Sequence, residues 1–243
     1  IIEGTRNDGN EKEDTMIFVT GDTHRSDLGR FDRFCAEYPG LTKDDYMIIA
    51  GDFGGVWSEK TLERDLKPFS DLPFTVLWLD GNHENFDLLE KYPVAQWNGG
   101  NVHKIRPDIL HLMRGQVFTI ENKTFFTFGG ATSIDRGWRT EGETWWKQEL
   151  PTKQDLEEGI RNLKLHHNRV DYVITHSCSE RALMYLVPHG VAMQKRNCPE
   201  NGMLSYLEEN IRSFGHWFFG HFHVDAALGD RYTALLHAIV RVV

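Results

Sequence analysis

The chain has 243 residues, of which 40% are hydrophobic, 12% aromatic and 26% charged, a composition that excludes disorder, collagen and coiled coil and fits a globular protein with one large core. Its 27 Lys and Arg against 36 Asp and Glu leave a net charge of -9, the wrong sign for tracking a polyphosphate backbone by charge alone. A chain this long buries roughly 70 to 75% of its unfolded surface and needs no staple.

Residues 1–15 are polar and aperiodic and read as a disordered tail or an appended cloning scar, with Met16 as the natural start. Apolar runs rich in β-branched or aromatic residues at 16–20, 46–50 and 74–79, and later at 170–176 and 216–220, predict buried strands. Helix-like spacing fills 27–38, 59–69, 86–92, 154–166, 179–186 and 203–211, with Thr152 and Asp155 placed for a capping box. The interval 102–128 predicts antiparallel hairpins around Arg114-Gly115 and Asn122-Lys123. The pattern is an α/β start, a β-rich middle and an α/β finish around shared sheets. Without repeat or linker, it predicts a single domain over 16–243.

Cys35, Cys178 and Cys198 are odd in number and form no CxxC, which predicts reduced thiols in a cytoplasmic protein. No apolar run approaches the roughly 18 residues of a membrane helix, and the N-terminus lacks a signal-peptide plan, so no membrane partner is expected.

Five predicted strands end in short polar clusters: Gly21-Asp22-Thr23-His24, Gly51-Asp52-Phe53-Gly54-Gly55, Asp80-Gly81-Asn82-His83-Glu84, Thr175-His176 and Gly220-His221-Phe222-His223. Carboxyl ends of strands in an α/β sheet form the crevice where ligands bind. Aspartate, asparagine and imidazole suit borderline divalent metals, and glycine lets the backbone turn sharply before each ligand. Seven ligand-capable side chains exceed the needs of one ion. Two ions roughly 3.5 to 4 Å apart, sharing a carboxylate, are the natural solution.

This ordered set resembles the calcineurin-like metallophosphoesterase family, from Met16 nearly to the end of the chain. The resemblance implies a four-layer α/β fold, two mixed β-sheets packed as a sandwich and flanked by helices. It also implies a binuclear hydrolase of phosphoesters, using manganese, iron, zinc or a similar ion, in which a metal-bridging hydroxide attacks phosphorus. Carried over position by position, it places Asp22, His24 and His223 on one metal, Asn82, His176 and His221 on the other, and Asp52 between them. His83 matches the histidine that meets the phosphoryl group or leaving oxygen, a role suited to a pKa near neutrality. The chain departs from the phosphoprotein phosphatase branch: Gly54-Gly55-Val56-Trp57 and Asp80 stand where that branch has its phosphate-gripping arginines. No carboxylate partner for His83 is identifiable. The segment with Trp145-Trp146, Glu149 and Pro151 resembles small bacterial-type members.

Substrate recognition then falls to other cations, and Arg25, Arg136 and Arg139 are the candidates, since arginine grips phosphate oxygens bidentately. The loop 188–199, with His189, Lys195 and Arg196, is a second candidate for the mouth. Trp138, Trp145 and Trp146 are expected to pack rather than stack on a base, and Cys178, Phe53 and Phe222 to be packing residues. A lone histidine is more often packed or superficial than a ligand, so His103, His111, His166, His167, His189, His216 and His237 receive no role. The expected partner is a small phosphoester. Nucleic acid is disfavoured by net charge, and an inactive scaffold is disfavoured because every ligand position is filled.

Overall fold

The structure is a computed structural model that describes residues 15–25, 28–191 and 198–243. The tail up to residue 14, Asp27 at the start of the first predicted helix, and Lys195 and Arg196 lie outside the described residues. In chain order the first half contains β1 (Ile17–Thr20), α1 (Gly29–Glu37), β2 (Tyr46–Ile49), α2 (Leu62–Ser70), β3 (Thr75–Trp78), α3 (Phe86–Leu89), β4 (Val94–Trp97), β5 (Gly100–Arg106), β6 (Ile109–Leu112) and β7 (Gln116–Ile120). The second half contains β8 (Lys123–Phe128), α4 (Lys153–Leu165), β9 (Arg169–Thr175), α5 (Glu180–Leu186), α6 (Pro199–Asn210), β10 (Ser213–Phe219), β11 (Ala226–Leu228), β12 (Tyr232–Ala234) and β13 (Ile239–Arg241).

Side chains alternate across a strand, and in central strands such as β1 and β3 both faces are apolar, so these strands must be covered twice. Phe18, Met47, Ile49, Val76 and Trp78 pack with Phe31 and Phe34 of α1, Leu66 and Phe69 of α2 and Leu89 of α3. Their neighbours Ile17, Val19, Ile48 and Leu77 point the other way, into an inner layer shared with Phe125, Ile174 and Phe218. On the far side Phe126, Phe128, Val173, Trp217 and Phe219 meet Leu163 of α4, Leu183 and Leu186 of α5 and Leu204 and Leu207 of α6. The result is the expected order of helices, sheet, sheet, helices.

One mixed sheet runs β13-β1-β2-β3-β6-β5-β4 and the other β11-β12-β10-β9-β8-β7. β1, β2 and β3 are parallel and nearly level, with Thr20 beside Ile49 and Ile49 beside Trp78. β9 and β10 are likewise parallel, with Thr175 beside Phe219. Their carboxyl ends therefore emerge together at two sheet edges. Among the described residues no helix is long and apolar enough to cross a membrane.

Two turns test the hairpin expectation. Glu121 and Asn122, at φ 48° and 60°, close the β7–β8 hairpin as a two-residue left-handed turn. Arg114-Gly115 closes no hairpin. β6 belongs to one sheet and β7 to the other, so the chain crosses between sheets there, with Gly115 pressed so close to α4 that a Cβ would lie 2.7 Å from the Gly159 nitrogen. The Thr152 capping box on α4 is present, with Thr152 Oγ1 accepting from the Asp155 N–H and the Asp155 carboxylate from the Thr152 N–H.

Candidate metal centre

The five loops bring all seven expected ligands to one edge of the sandwich. Asp22 Oδ2 lies 3.1 Å from His223 Nε2, and His24 Nε2 lies 3.5 Å from His223 Nε2 and 3.7 Å from Asp52 Oδ2. One ligand atom from each of Asp22, His24, Asp52 and His223 falls within 4.8 Å of the others. A second group gathers at the other oxygen of Asp52: His176 Nε2 is 3.3 Å from Asp52 Oδ1 and 3.2 Å from Asn82 Oδ1. The His221 ring centre is 5.0 Å from that of His176. The two oxygens of Asp52 thus face different groups.

Glycine matters here more for closeness than for turning. A Cβ on Gly81 would lie 2.0 Å from Asp52 Oδ1, and one on Gly220 would lie 2.2 Å from Asp22 Oδ1, although neither residue has a positive φ. Gly51, at φ 95°, needs both the turn and the space, since its Cβ would strike His176 Nδ1 at 2.0 Å. The sharp turning falls instead on the ligands, with His24, Asp52, His221 and His223 at φ 44°, 49°, 65° and 53°. Left-handed backbone costs a non-glycine residue about 1 kcal/mol and persists only where the surroundings dictate it. Glu84, buried, supplies part of that dictation by accepting the N–H groups of Phe53 and Gly54 at 2.8 and 3.4 Å. Arg30 supplies more, donating to the carbonyls of Asp22 at 2.7 Å and Gly21 at 3.5 Å.

The donor set fits a divalent cation. Among the described residues Asp22 Oδ2 is buried with no hydrogen-bond partner, a costly state for a carboxylate oxygen unless something positive sits against it. The Ala50 carbonyl accepts from His176 Nδ1 at 2.8 Å, which leaves Nε2 facing Asp52 and Asn82. Burial disfavours a charged His176, but Asp52, Asp22 and the Ala50 carbonyl outweigh it and push its pKa up to about 9 in the metal-free chain. Burial likewise works against the Asp52 carboxylate, yet His176, His83 and His24 hold it well below the usual range.

His83 lies beside this group with its backbone N–H donated to Asp52 Oδ1 at 2.8 Å. The neighbour of its ring is a cation: Arg139 Nη1 is 3.2 Å from Nδ1 and Nη2 3.4 Å from Nε2. Burial and then Arg139, opposed by Asp52, hold the imidazole below its ordinary pKa. Arg139 also donates to Asp135 Oδ2 at 2.8 Å and to the Thr144 carbonyl at 3.1 Å. Arg25 pairs with Asp65 at 3.2 Å and lines a shallow cleft of about 160 Å³ with His24, Gly54, Trp57 and His83. Arg136 is exposed on the turn Arg136–Trp138. Of the second candidate mouth, Val187–His189 forms a short exposed turn.

Trp146 packs as expected, 5.5 Å edge-on to Trp57 with its N–H on Asp87. Trp138 does not: it is 94% exposed. Phe53, stacked on Trp78, is packed, and burial raises the Cys178 thiol, which makes it a poor nucleophile.

Two features escaped the motif reading. Asn82 donates to Ser133 Oγ at 3.1 Å, and Ser133 is held in turn by Glu149, a residue of the segment singled out above but with no role given to it there. Asp80 is buried against Arg114 and His111, with His103 behind His111. These partners come from distant parts of the chain.

The sequence profile of the calcineurin-like phosphoesterase family matches residues 15–225. No curated protein sequence matches the chain. The matched span contains every loop that builds the centre, and the chain belongs to the calcineurin-like phosphoesterase family.

Proposed function

We propose that the chain hydrolyses small phosphoesters with two divalent metal ions, Asp22, His24 and His223 holding one, Asn82, His176 and His221 the other, and Asp52 shared. The observation that carries this reading is the division of Asp52, with Oδ2 at 3.7 Å from His24 Nε2 and Oδ1 at 3.3 Å from His176 Nε2. Such ions lower the pKa of water and neutralise phosphoryl oxygens.

The chain's own residues supply the rest. Arg25, which lines the cleft, and Arg139, against the His83 ring, offer guanidinium donors to phosphoryl oxygens. In the free protein Arg139 helps keep His83 neutral. A phosphoryl anion entering beside it offsets that positive charge and raises the His83 pKa, so the imidazole gains a proton that it can hand to the leaving oxygen. The cleft is small, and both arginines beside it already face an aspartate, which favours a compact substrate over a nucleic-acid strand. The three free thiols fit a reducing compartment such as the cytoplasm.

The test is hydrolysis of p-nitrophenyl phosphate and bis-p-nitrophenyl phosphate by metal-stripped protein, with manganese, nickel, zinc or magnesium restored in turn. Metal-dependent turnover is expected, and the ratio of the two rates separates monoesterase from diesterase. His83→Ala is expected to lower kcat by about 10² to 10⁴ while metal uptake persists. Protein that binds two ions yet turns over neither ester with any metal would overturn the reading in favour of a scaffold.

A further inference from the structure

The binuclear reading needs the oxygen of Asn82, and an amide has two ends of nearly the same size. Something must decide which end faces His176. Asn82 Nδ2 donates to Ser133 Oγ at 3.1 Å while Oδ1 lies 3.2 Å from His176 Nε2. Ser133 has one hydroxyl proton, and its Oγ is 2.6 Å from Glu149 Oε2, with the Ser133 N–H on Glu149 Oε1 at 2.9 Å. A carboxylate only accepts, so the hydroxyl proton points at Glu149 and the oxygen is left to accept from Asn82. Asn82, Ser133 and Glu149 are 8%, 2% and 0% exposed, which leaves bulk water little access to substitute for any of these bonds.

The relay stands on a fixed base. Glu149 closes the short turn Lys147–Glu149, whose Gln148 carbonyl accepts from Arg114 Nη2 at 2.7 Å. Thr132 is gripped in the same way as its neighbour, with its N–H and hydroxyl on buried Glu200 at 3.0 and 2.7 Å. Two carboxylates thereby pin the Thr132-Ser133 dipeptide.

We propose that Glu149 is a positioning residue which, through Ser133, selects the orientation of Asn82 that offers its oxygen to the second ion. The inference rests on the binuclear reading above. Glu149→Gln tests it with almost no change of volume. The glutamine oxygen accepts the Ser133 N–H, its NH₂ donates to Ser133 Oγ, and the freed hydroxyl proton turns to Asn82, which then swings its NH₂ toward His176.

The measurement is manganese binding to the full chain by calorimetry and equilibrium dialysis, with melting curves to confirm folding. The wild type is expected to take two ions, and E149Q to bind one of them at least about tenfold more weakly, the usual reach of an outer-shell partner. Adding Asn82→Asp, which offers an oxygen in either orientation, is expected to make E149Q harmless to that site. Unchanged affinity for both ions in E149Q overturns the relay, as does a folded N82D/E149Q protein in which E149Q still weakens the site. A wild type that takes fewer than two ions overturns the binuclear reading itself, and the relay with it.

Discussion

Asp22 and Asp80 are equally buried, at 1% exposure, and histidine approaches both, but the clusters around them are opposite in character. Around Asp80 the donors and acceptors match: Oδ1 meets His111 Nε2 at 3.2 Å, Oδ2 takes two bonds from Arg114 at 2.8 and 2.5 Å, and His111 Nδ1 meets His103 Nδ1 at 3.0 Å. None of these four residues has a positive φ. At the rim, Asp22 Oδ2 lacks a hydrogen-bond partner among the described residues, and four of the seven expected ligands sit in left-handed backbone. Both clusters pair aspartate with histidine, but only the one around Asp80 adds an arginine. A site shows itself by groups left unsatisfied and strained, whereas a structural cluster closes on itself.

Substitution at the two clusters is the strongest way to break this contrast. Asp52→Asn leaves a single oxygen where two ligand groups each need one, and hydrolysis is expected to fall by at least about 10³, equal to roughly 4 kcal/mol of barrier. Near-normal turnover of p-nitrophenyl phosphate in that variant would sink the shared-ligand assignment. Asp80→Asn instead strands Arg114, whose side chain is 10% exposed, and is expected to cost about 3 to 5 kcal/mol of stability. In a chain of this size that lowers Tm by about 10 °C, readable by calorimetry. A variant that melts normally but loses metal would move Asp80 from the structural cluster to the working one.

The two clusters should also answer pH with opposite signs in the metal-free protein. Burial, followed by His111, lowers the pKa of His103 from 6.5 to about 4, so its folded form favours the neutral ring. Its contribution is complete above about pH 6.5 and is lost as pH falls toward 4, by at most about 3 kcal/mol. His176, raised to about 9, is the reverse: its contribution is complete below about pH 6.5 and is lost as pH rises through 9, by a similar amount. Urea unfolding from pH 4 to 10 in the presence of a chelator measures both limbs. Saturating metal, which displaces the His176 proton, should flatten the alkaline limb. An alkaline limb that persists with metal bound would take His176 out of the ligand set.

The rim was legible in sequence because each ligand directly follows an apolar run, so strand, turn and donor are written within a few residues. The layering was legible for the same local reason, as in β2, where Met47 and Ile48 are apolar on opposite faces. The Asp80 cluster was illegible, since its partners stand 31 and 34 residues away and His111 and His103 are ordinary strand residues. Arg139 reaches His83 across 56 residues, so the ring's neighbour could be suspected only as a nearby cation in search of phosphate. Arg114-Gly115 misled for a related reason. Spacing shows that two strands are close in sequence, but long-range pairing decides which sheet each one joins.

Arg139 and Arg136 carry the same contrast down to three residues, one guanidinium folded against the His83 ring and the other on an exposed turn. Arg139→Gln removes the charged donor proposed for the phosphoryl group, worth roughly 1.5 to 3 kcal/mol, and should lower kcat/KM tenfold or more. Arg136→Ala, at an exposed position, should change it by less than about twofold. The pH profile separates binding from tuning. Arg139 holds the His83 pKa down, so its removal should carry the limb governed by His83 to higher pH, while Arg136→Ala leaves the limb in place. If both variants weaken kcat/KM equally and neither moves the limb, the guanidinium beside His83 serves as surface charge, and the difference between a satisfied and an unsatisfied cluster ends at the metal ligands.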